Sequence, residues 1–343
     1  MKVTIKDIAR ECGVSISTVS LAFSDKESRI SPKTKAHILE VARRMNYQPN
    51  RVAANLASKQ SKWIGMIIND LRNTHISSLF MAIDHVIQTK GYSLICHVLS
   101  DDFANGHEVI RNLIASNLAG FIWAKPYTYP ENEDSIEIQK IIEQMELPVA
   151  AMDDFGFKTP GVNVMFDYQK AGYLATKHLL DSGHTRIGCV TGPMNYKVTQ
   201  ERLRGYQEAL REHGIEYNEN LVYTGNYAMK SGREALSYLL GQRATAVFSF
   251  NDEMAFGLYQ SARQYRIKIP EDLSVMGCDN VPFSNVLEVP LSTVHVPIDE
   301  MGRIIAQELI KTIEEKGNVK RKTILYQPKL LLRGSTRKLQ AEA

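Results

Sequence analysis

The sequence lacks the features that mark secreted, membrane-spanning and metal-binding proteins. It has only four cysteines in 343 residues, and these lie far apart: Cys12, Cys96, Cys189 and Cys278. With no CxxC pair, this spacing is typical of reduced cytoplasmic thiols rather than of disulfides or a zinc site. The apolar runs are too short to span a bilayer, and the charged N-terminus argues against a signal peptide. We therefore expect a cytoplasmic protein with no metal, no cofactor and no membrane partner.

The motifs of the common enzyme classes are also missing. The chain has no GxGxxG, GxxxxGK[ST], HExxH or GxSxG segment. Asp153 and Asp154 could support acid–base hydrolysis of a glycoside, but neighbouring side chains on a strand point in opposite directions. The sequence therefore predicts a protein that is not an enzyme.

The charge of the chain is unevenly distributed. The composition, 44% hydrophobic and 23% charged, is that of an ordinary globular protein, and the length predicts two or three domains. Residues 1–62 carry 12 basic and 5 acidic side chains, a net charge of +7. The remaining 281 residues carry 29 basic and 33 acidic side chains, a net charge of −4. The asymmetry predicts a basic N-terminal module that binds a polyanion, with a solvated basic arm as the alternative.

The N-terminal residues contain start and stop signals for three short helices. Thr4 and Asp7 have the spacing of a capping box, and Gly13 ends the helix that follows them. Ser15 is placed to cap a second helix, and Ser31, followed by proline, begins a third. Three short helices with a glycine in the first turn predict a helix-turn-helix unit.

From residue 63 onward, short buried strands alternate with helices. The predicted strands are 63–68, 93–99, 120–124, 149–152, 187–191, 221–224, 246–250 and 274–278. The predicted helices include 77–89, 168–180, 199–212, 231–240 and 253–265. This alternation predicts parallel sheets with right-handed crossovers, and two sheets of about four to six strands fit the length.

Acidic and amide residues follow three of the predicted strands. They are the pairs Asp153-Asp154, Asn251-Asp252 and Asp279-Asn280. Open α/β sheets bind ligands beyond the carboxyl ends of their strands, so these pairs predict a polar cleft suited to hydroxyl-rich ligands. Capping of the next helix is the alternative, as well supported as ligand binding for Asp252 and less so for Asp279.

Several segments resemble signatures of the LacI/GalR family of transcription regulators. TIKDIARECGVSISTVS at 4–20 and NYQPNRVAANLA at 46–57 resemble the family's DNA-binding and hinge segments. RLRGY at 202–206, NDEMAFG at 251–257 and VMGCD at 275–279 resemble landmarks of its effector domain. The resemblance implies a small all-α helix-turn-helix domain followed by an α/β effector domain of two Rossmann-like lobes, similar to periplasmic binding proteins.

The implied domain boundaries follow from these matches. The helix-turn-helix domain covers residues 1–49, a hinge helix covers 50–60, and an effector-binding and dimerisation domain covers 61–343. Within that domain, lobe 1 takes about 61–161 plus 292–323, and lobe 2 takes about 162–291 plus 324–343.

The resemblance and the residue chemistry together predict the side chains that contact DNA. The hydroxyls of Ser15, Thr18 and Ser20 suit phosphate oxygens near the start of the second helix. Ile16, Ser17 and Leu21 match positions that read base edges in the family. Leu21 stands where the family usually has Arg or His, so contact with thymine methyl groups should matter more, and a core position is its alternative. The other predicted contacts are Thr4, Ser31, Tyr47, Asn50, Arg51 and Leu56.

The hinge segment has a predicted role of its own. Its ten or so residues are too few to form a stable helix alone, and in family members the segment becomes helical only when paired on DNA. Leu56 matches the apolar wedge that enters the minor groove and kinks the duplex. A plain interdomain linker is the alternative.

A second group of residues matches effector-contacting positions. Arg202, Asn251 and Asp279 match directly, and Asp153 and Tyr227 match less securely. Asn73 and His75 stand in the segment where the family often has Asn-Pro-Phe-Phe. A sugar or related polyol is the leading ligand, with a purine or a phosphocarrier coregulator as alternatives. His184 is interpreted as structural.

The predicted function is a homodimeric repressor of carbohydrate-utilisation genes. Two helical heads would bind a pseudo-palindromic operator, since the two-fold symmetry of a dimer is mirrored in its site. The cleft residues indicate a sugar as the small effector that would switch operator affinity. A free sugar-binding transport protein is the alternative, but it has no use for a basic helical head.

Overall fold

The computed structural model describes residues 3–23, 30–47, 61–99, 106–125, 133–153, 159–316 and 320–339. The chain forms two compact units, residues 1–62 and 63–343. Among the described residues, no helix is long and apolar enough to span a membrane. The predicted contacts Asn50, Arg51 and Leu56 lie outside the described residues, as does Asp154.

Three helices form the N-terminal unit: α1 (Ile5–Cys12), α2 (Ile16–Ala22) and α3 (Pro32–Arg44). The predicted caps are present, because Ser15 and Ser31 each accept a backbone N–H three residues later. At α1, the Asp7 carboxylate accepts hydrogen bonds from the Thr4 N–H at 3.0 Å and the Thr4 hydroxyl at 2.7 Å. The Thr4 hydroxyl therefore donates to Asp7, while the Asp7 N–H bonds to the Thr4 carbonyl.

A small apolar core holds these helices together. Its buried members are Ile8, Ala9, Val19, Ala22, Ile38, Val41 and Ala42. They recur at helical spacing along α1, α2 and α3, so each helix buries one face and leaves the other in solvent.

The larger unit alternates strands and helices. Its strands are β1 (Trp63–Ile68), β2 (Ser93–Val98), β3 (Gly120–Ala124), β4 (Val149–Met152), β5 (Gly161–Phe166), β6 (Ile187–Thr191), β7 (Val222–Thr224), β8 (Ala246–Ser249), β9 (Ser274–Asp279), β10 (Ser292–His295), β11 (Lys322–Tyr326) and β12 (Lys329–Leu331). Its helices are α4 (Thr74–Thr89), α5 (Gly106–Ile114), α6 (Glu133–Gln144), α7 (Tyr168–Asp181), α8 (Lys197–Glu212), α9 (Met229–Gly241), α10 (Asp252–Tyr265) and α11 (Ile298–Glu314). Short 3₁₀ turns lie at Glu219–Leu221 and Pro282–Asn285.

The strands form two six-stranded sheets. The first has the order β11-β5-β4-β3-β1-β2, and its paired strands are all parallel. The second has the order β12-β10-β9-β8-β6-β7 and is parallel except for the antiparallel pair β10–β12. Helices α4 and α11 pack on the first sheet, α7, α9 and α10 pack on the second, and α8 packs against α7. The prediction of two parallel sheets is confirmed, and each sheet with its helices is one lobe.

The chain crosses between the lobes at different points from those predicted. Strand β5 belongs to the first sheet, so the first segment of lobe 1 extends to residue 166 instead of 161. Strand β10 pairs with β9, with Val294 opposite Cys278, which places residues 292–295 in lobe 2 instead of lobe 1. Strand β11 pairs with β5 through Tyr326, so lobe 1 ends after residue 326 instead of 323.

Candidate DNA-binding surface and effector site

Helix α2 presents an exposed surface of hydroxyl and apolar side chains. Ile16 and Leu21 are 45% and 44% exposed, although both are large and apolar. The core interpretation of Leu21 is therefore wrong, because Val19 and Ala22 supply the buried face of the helix. Ser15, Ser17 and Ser20 are also exposed, and Thr18 is half-buried. Exposed leucine and isoleucine beside hydroxyls suit thymine methyl groups and phosphate oxygens.

The other residues of this unit that were predicted to contact DNA, and that the structure describes, differ in exposure. Thr4 and Ser31 are the N-cap residues of α1 and α3, and both are exposed. Tyr47 is half-buried, and its ring centroid lies 5.7 Å from that of Phe23. Burial raises the pKa of the Tyr47 hydroxyl. Tyr47 therefore packs at the edge of the small core.

In the larger unit, Arg202 is the centre of a buried polar cluster. Its side chain is on α8 and only 5% exposed. The guanidinium carbon lies 4.6 Å from the ring centroid of Tyr168, a cation–π distance. One terminal nitrogen donates to the Tyr227 hydroxyl at 3.2 Å, and the other lies 3.7 Å from an Asp279 carboxylate oxygen.

Two glycines allow α7 and α8 to approach closely enough to form this cluster. A Cβ atom on Gly172 would lie 2.1 Å from the Arg202 carbonyl oxygen. A Cβ atom on Gly205 would lie 1.9 Å from the Gln169 carbonyl oxygen. Any larger residue would separate the two helices, and with them Arg202 from Tyr168.

Asp153, in the first lobe, joins the cluster through the hydroxyl of Tyr168. Asp153 follows β4 in the first lobe at a φ of 65° and accepts a hydrogen bond from the Tyr168 hydroxyl at 3.2 Å. Burial raises the pKa of Asp153 to about 7, and the nearby Glu201 acts in the same direction, while the Tyr168 hydrogen bond, Arg202 and Lys197 oppose the rise. Tyr168 was not predicted as a site residue. Strand β5 ends two residues before Tyr168, so recognising that strand in the sequence would have placed Tyr168 near a strand end.

His75 brings the first lobe against Asp279 in the second. Its Nδ1 lies 3.8 Å from an Asp279 carboxylate oxygen, and both residues are buried. Burial, helped by the charge of Arg202, lowers the pKa of His75 to about 3, so the imidazole is neutral at ordinary pH. Burial raises the pKa of Asp279, and the charge of Arg202 opposes that rise. His75 Nδ1 and Arg202 Nε have no hydrogen-bond partner among the described residues.

Tyr227 provides an aromatic wall that is itself supported. Its ring stacks on Tyr196 at 6.2 Å with an interplanar angle of 20°, and its hydroxyl lies 2.7 Å from the Thr199 hydroxyl. A Cβ atom on Gly192 would lie 2.0 Å from the ring, so glycine is needed beneath it. The Tyr227 ring is therefore partly covered by the chain itself.

The two predicted amides serve as helix caps. The Asn73 side chain accepts from the N–H groups of His75 and Ile76 at the start of α4. Asn251 accepts from the Met254 N–H and donates to the Tyr227 carbonyl oxygen at 2.9 Å. The side-chain oxygen of Asn73 and both polar side-chain atoms of Asn251 are therefore already bonded within the chain.

Two further residues are structural. Asp252 is fully buried and accepts hydrogen bonds from the Val281 N–H and the Ser284 and Thr293 hydroxyls. Asn251, rather than Asp252, caps α10. His184 bonds through its two ring nitrogens to the Thr245 hydroxyl and the Arg337 carbonyl, in line with its structural interpretation. Over the described parts of the chain, no group of three or more His, Cys, Asp or Glu side chains could hold a metal ion.

A helix-turn-helix unit followed by a two-lobed α/β domain with a polar cluster between its lobes defines a class, the ligand-responsive DNA-binding regulators. Two family models match the chain. "Bacterial regulatory proteins, lacI family" matches residues 4–50, and "Periplasmic binding protein-like domain" matches residues 176–336.

Individual relatives agree with this class. The chain is 33% identical to the HTH-type transcriptional regulator DegA of Bacillus subtilis strain 168, over 98% of each chain. The lac repressor dimer bound to operator and the anti-inducer ONPF is similar with a TM-score of 0.84 and 25% identity, covering 98% of this chain and 100% of that one. A LacI family regulator from Enterococcus faecium with bound ribose has a TM-score of 0.72 and 26% identity, covering 81% and 100%. The chain belongs to the lacI family of bacterial regulatory proteins, and it is a DNA-binding transcriptional regulator with an effector-binding domain.

Proposed function

We propose that this regulator is a repressor of carbohydrate-utilisation genes whose operator affinity is switched by a sugar or related polyol. The observation that carries the proposal is the buried cluster of Arg202, Asp279 and His75, in which Arg202 Nε and His75 Nδ1 have no partner among the described residues. A hydroxyl group both donates and accepts hydrogen bonds, so one polyol can satisfy an N–H donor and a ring nitrogen together.

The electrostatics of the cluster favour a neutral ligand. Asp153, Asp279 and Glu201 surround Arg202, and burial raises the pKa of each of these three carboxyl groups. An anionic ligand would add negative charge where carboxylates are already disfavoured. The Arg202 guanidinium lies over the Tyr168 ring at 4.6 Å and 5.9 Å from the centroid of the Tyr227 ring, so these two rings orient the charged group that would bind the hydroxyls of the ligand. The ribose bound by the Enterococcus faecium relative supports the same ligand class.

On the DNA side, we propose that α2 reads the operator through Ile16, Ser17 and Leu21 and that the protein acts in the cytoplasm as a homodimer. The exposed apolar pair on α2 and the lac repressor dimer bound to operator support this part of the proposal. Residues 50–60 are the proposed hinge, with Leu56 as its minor-groove wedge.

A ligand screen tests the effector proposal. The full-length protein is melted with sugars, sugar phosphates and purines, each with and without an operator duplex. We expect a neutral sugar to raise the melting temperature, since a ligand that binds only the folded state stabilises it by mass action. The same sugar should change operator affinity by about 5- to 150-fold, the usual range of allosteric coupling.

The matched variant is Asp279→Asn, because asparagine keeps the size and shape of the side chain and removes only its ability to carry a negative charge. It should lose the sugar response while keeping basal operator binding. The exposed Glu234→Gln on α9 is the control. Stabilisation by a purine or sugar phosphate alone would contradict the neutral polyol, and a full sugar response in Asp279→Asn would contradict the site.

A further inference from the structure

Three consecutive residues at the start of α10 each hold a different wall of the effector site. Asn251 caps the helix and donates to the carbonyl oxygen of Tyr227 at 2.9 Å. This bond fixes the backbone of Tyr227, which has a positive φ of 64°. The first of the three residues therefore positions the aromatic wall within the second lobe.

Asp252 holds the segment that carries Asp279. Its carboxylate accepts from the Val281 N–H at 3.0 Å and from the Ser284 hydroxyl at 2.5 Å. A third hydrogen bond, from the Thr293 hydroxyl at 2.7 Å, ties the carboxylate to β10. These bonds fix the chain directly after Asp279, so the second residue positions the acidic wall.

Glu253 is the one of these three residues whose side chain contacts the first lobe. A carboxylate oxygen of Glu253 accepts the backbone N–H of Thr74, the first residue of α4, at 2.8 Å. The Asn73 cap takes the N–H groups of His75 and Ile76 and leaves that of Thr74 for Glu253. A carboxylate at a helix N-terminus also interacts favourably with the helix dipole.

This contact lies next to a second contact between the lobes, that of His75 with Asp279. His75 follows Thr74 in the chain, and its ring nitrogen lies 3.8 Å from Asp279. We propose that Glu253 is a positioning residue that holds the first turn of α4 against the second lobe and thereby sets the distance between His75 and Asp279. This inference rests on the proposed function, which makes the region between the lobes the effector site. It adds that the Glu253 contact couples the position of α4 in the first lobe to the second lobe.

Hydrogen–deuterium exchange of the full-length protein tests this role with neither effector nor operator present. In Glu253→Ala, peptides covering the first turn of α4 should exchange about tenfold faster or more, as expected for loss of a hydrogen bond to a charged group. Glu253→Gln should give an intermediate rate, because its amide oxygen still accepts the Thr74 N–H. Peptides over residues 279–286 should keep their protection, since Asp252 holds them.

The control is Glu234→Ala, which removes an acidic side chain from α9 whose ion pair with Lys230 spans 3.7 Å. It should leave exchange in α4 unchanged. Unchanged exchange of α4 in Glu253→Ala would overturn the proposal, as would faster exchange throughout both lobes. Because no ligand enters the measurement, a protein that binds no sugar can still pass this test, and one that binds sugar can still fail it.

Discussion

Buried ionisable side chains dominate the chemistry of the polar cluster between the lobes at the scale of single residues. Arg202 is stabilised there by the ring of Tyr168, by the Tyr227 hydroxyl and by the Asp279 carboxylate. A buried charge is tolerated only when it is paired and hydrogen-bonded. The sequence motif identified Arg202 and Asp279, but it did not identify Tyr168, because the aromatic partner comes from a different part of the chain.

Asp153 makes the stability of the larger unit depend on pH. Its pKa in the folded chain, about 7, lies above the ordinary value of 3.8, so the folded state binds more protons than the unfolded state between these pH values. The stability that Asp153 contributes is therefore fully present below about pH 4 and is lost as pH rises through about 7.

The isosteric variant Asp153→Asn should remove this dependence, and asparagine also tolerates the positive φ of 65°. We expect the variant to be more stable than the wild type at about pH 8, by as much as roughly 4 kcal/mol if the whole shift is realised. At pH 5 the difference should shrink. Denaturant unfolding at both pH values measures it, and equal differences at the two values would contradict the prediction.

At the scale of elements, the close contact of α7 and α8 determines where Arg202 lies. Gly205→Ala should destabilise the protein by about 1 to 3 kcal/mol, since the new methyl group overlaps the Gln169 carbonyl oxygen and forces the helices apart. Sugar-induced stabilisation should also weaken, because Arg202 moves with α8. The control is Gly241→Ala on α9, where nothing lies within 4 Å of the added Cβ atom. Equal melting temperatures for the two variants would show that the contact can relax without cost.

The elements that the sequence predicted are those with strong local signals. Strands β1, β3, β4 and β6 lie where the apolar runs placed them, because both faces of a parallel sheet are covered and the whole strand is apolar. Strand β11 was missed, since its Lys322–Tyr326 segment carries polar residues at a sheet edge. Its partner is β5, more than 150 residues earlier, and no local pattern records such a pairing.

For the site, as for the fold, the sequence predicted the positions with strong local signals and missed the contacts between distant segments. Strand-end acids and amides were found because the carboxyl ends of parallel strands mark ligand sites. Their roles were not separable from the sequence, since Asn251 caps a helix, Asp252 binds a loop and Asp279 faces Arg202. The Glu253 contact with Thr74 joins residues 179 positions apart, so it depends on how the two lobes meet.

At the scale of the whole molecule, charge separates a DNA-binding unit from a ligand-binding unit. Residues 1–62 carry a net charge of +7 and the remaining residues a net charge of −4. Part of the positive charge is neutralised within the small unit, where Arg10 pairs with Asp7 and Arg44 with Glu11. Lys6 and Lys33 are exposed on the surface of the same unit.

Operator affinity should therefore fall steeply with salt. Each phosphate that a lysine or arginine neutralises releases counterions, and six or more such contacts predict a loss of about a thousandfold between 50 and 200 mM salt. Lys33→Ala should reduce the slope of log affinity against log salt by about one per contact removed, while Lys230→Ala in the acidic unit should leave it unchanged. Filter binding or fluorescence anisotropy over this salt range measures both slopes. Equal slopes for the two variants would mean that Lys33 makes no phosphate contact, because each contact that is lost lowers the number of counterions released on binding.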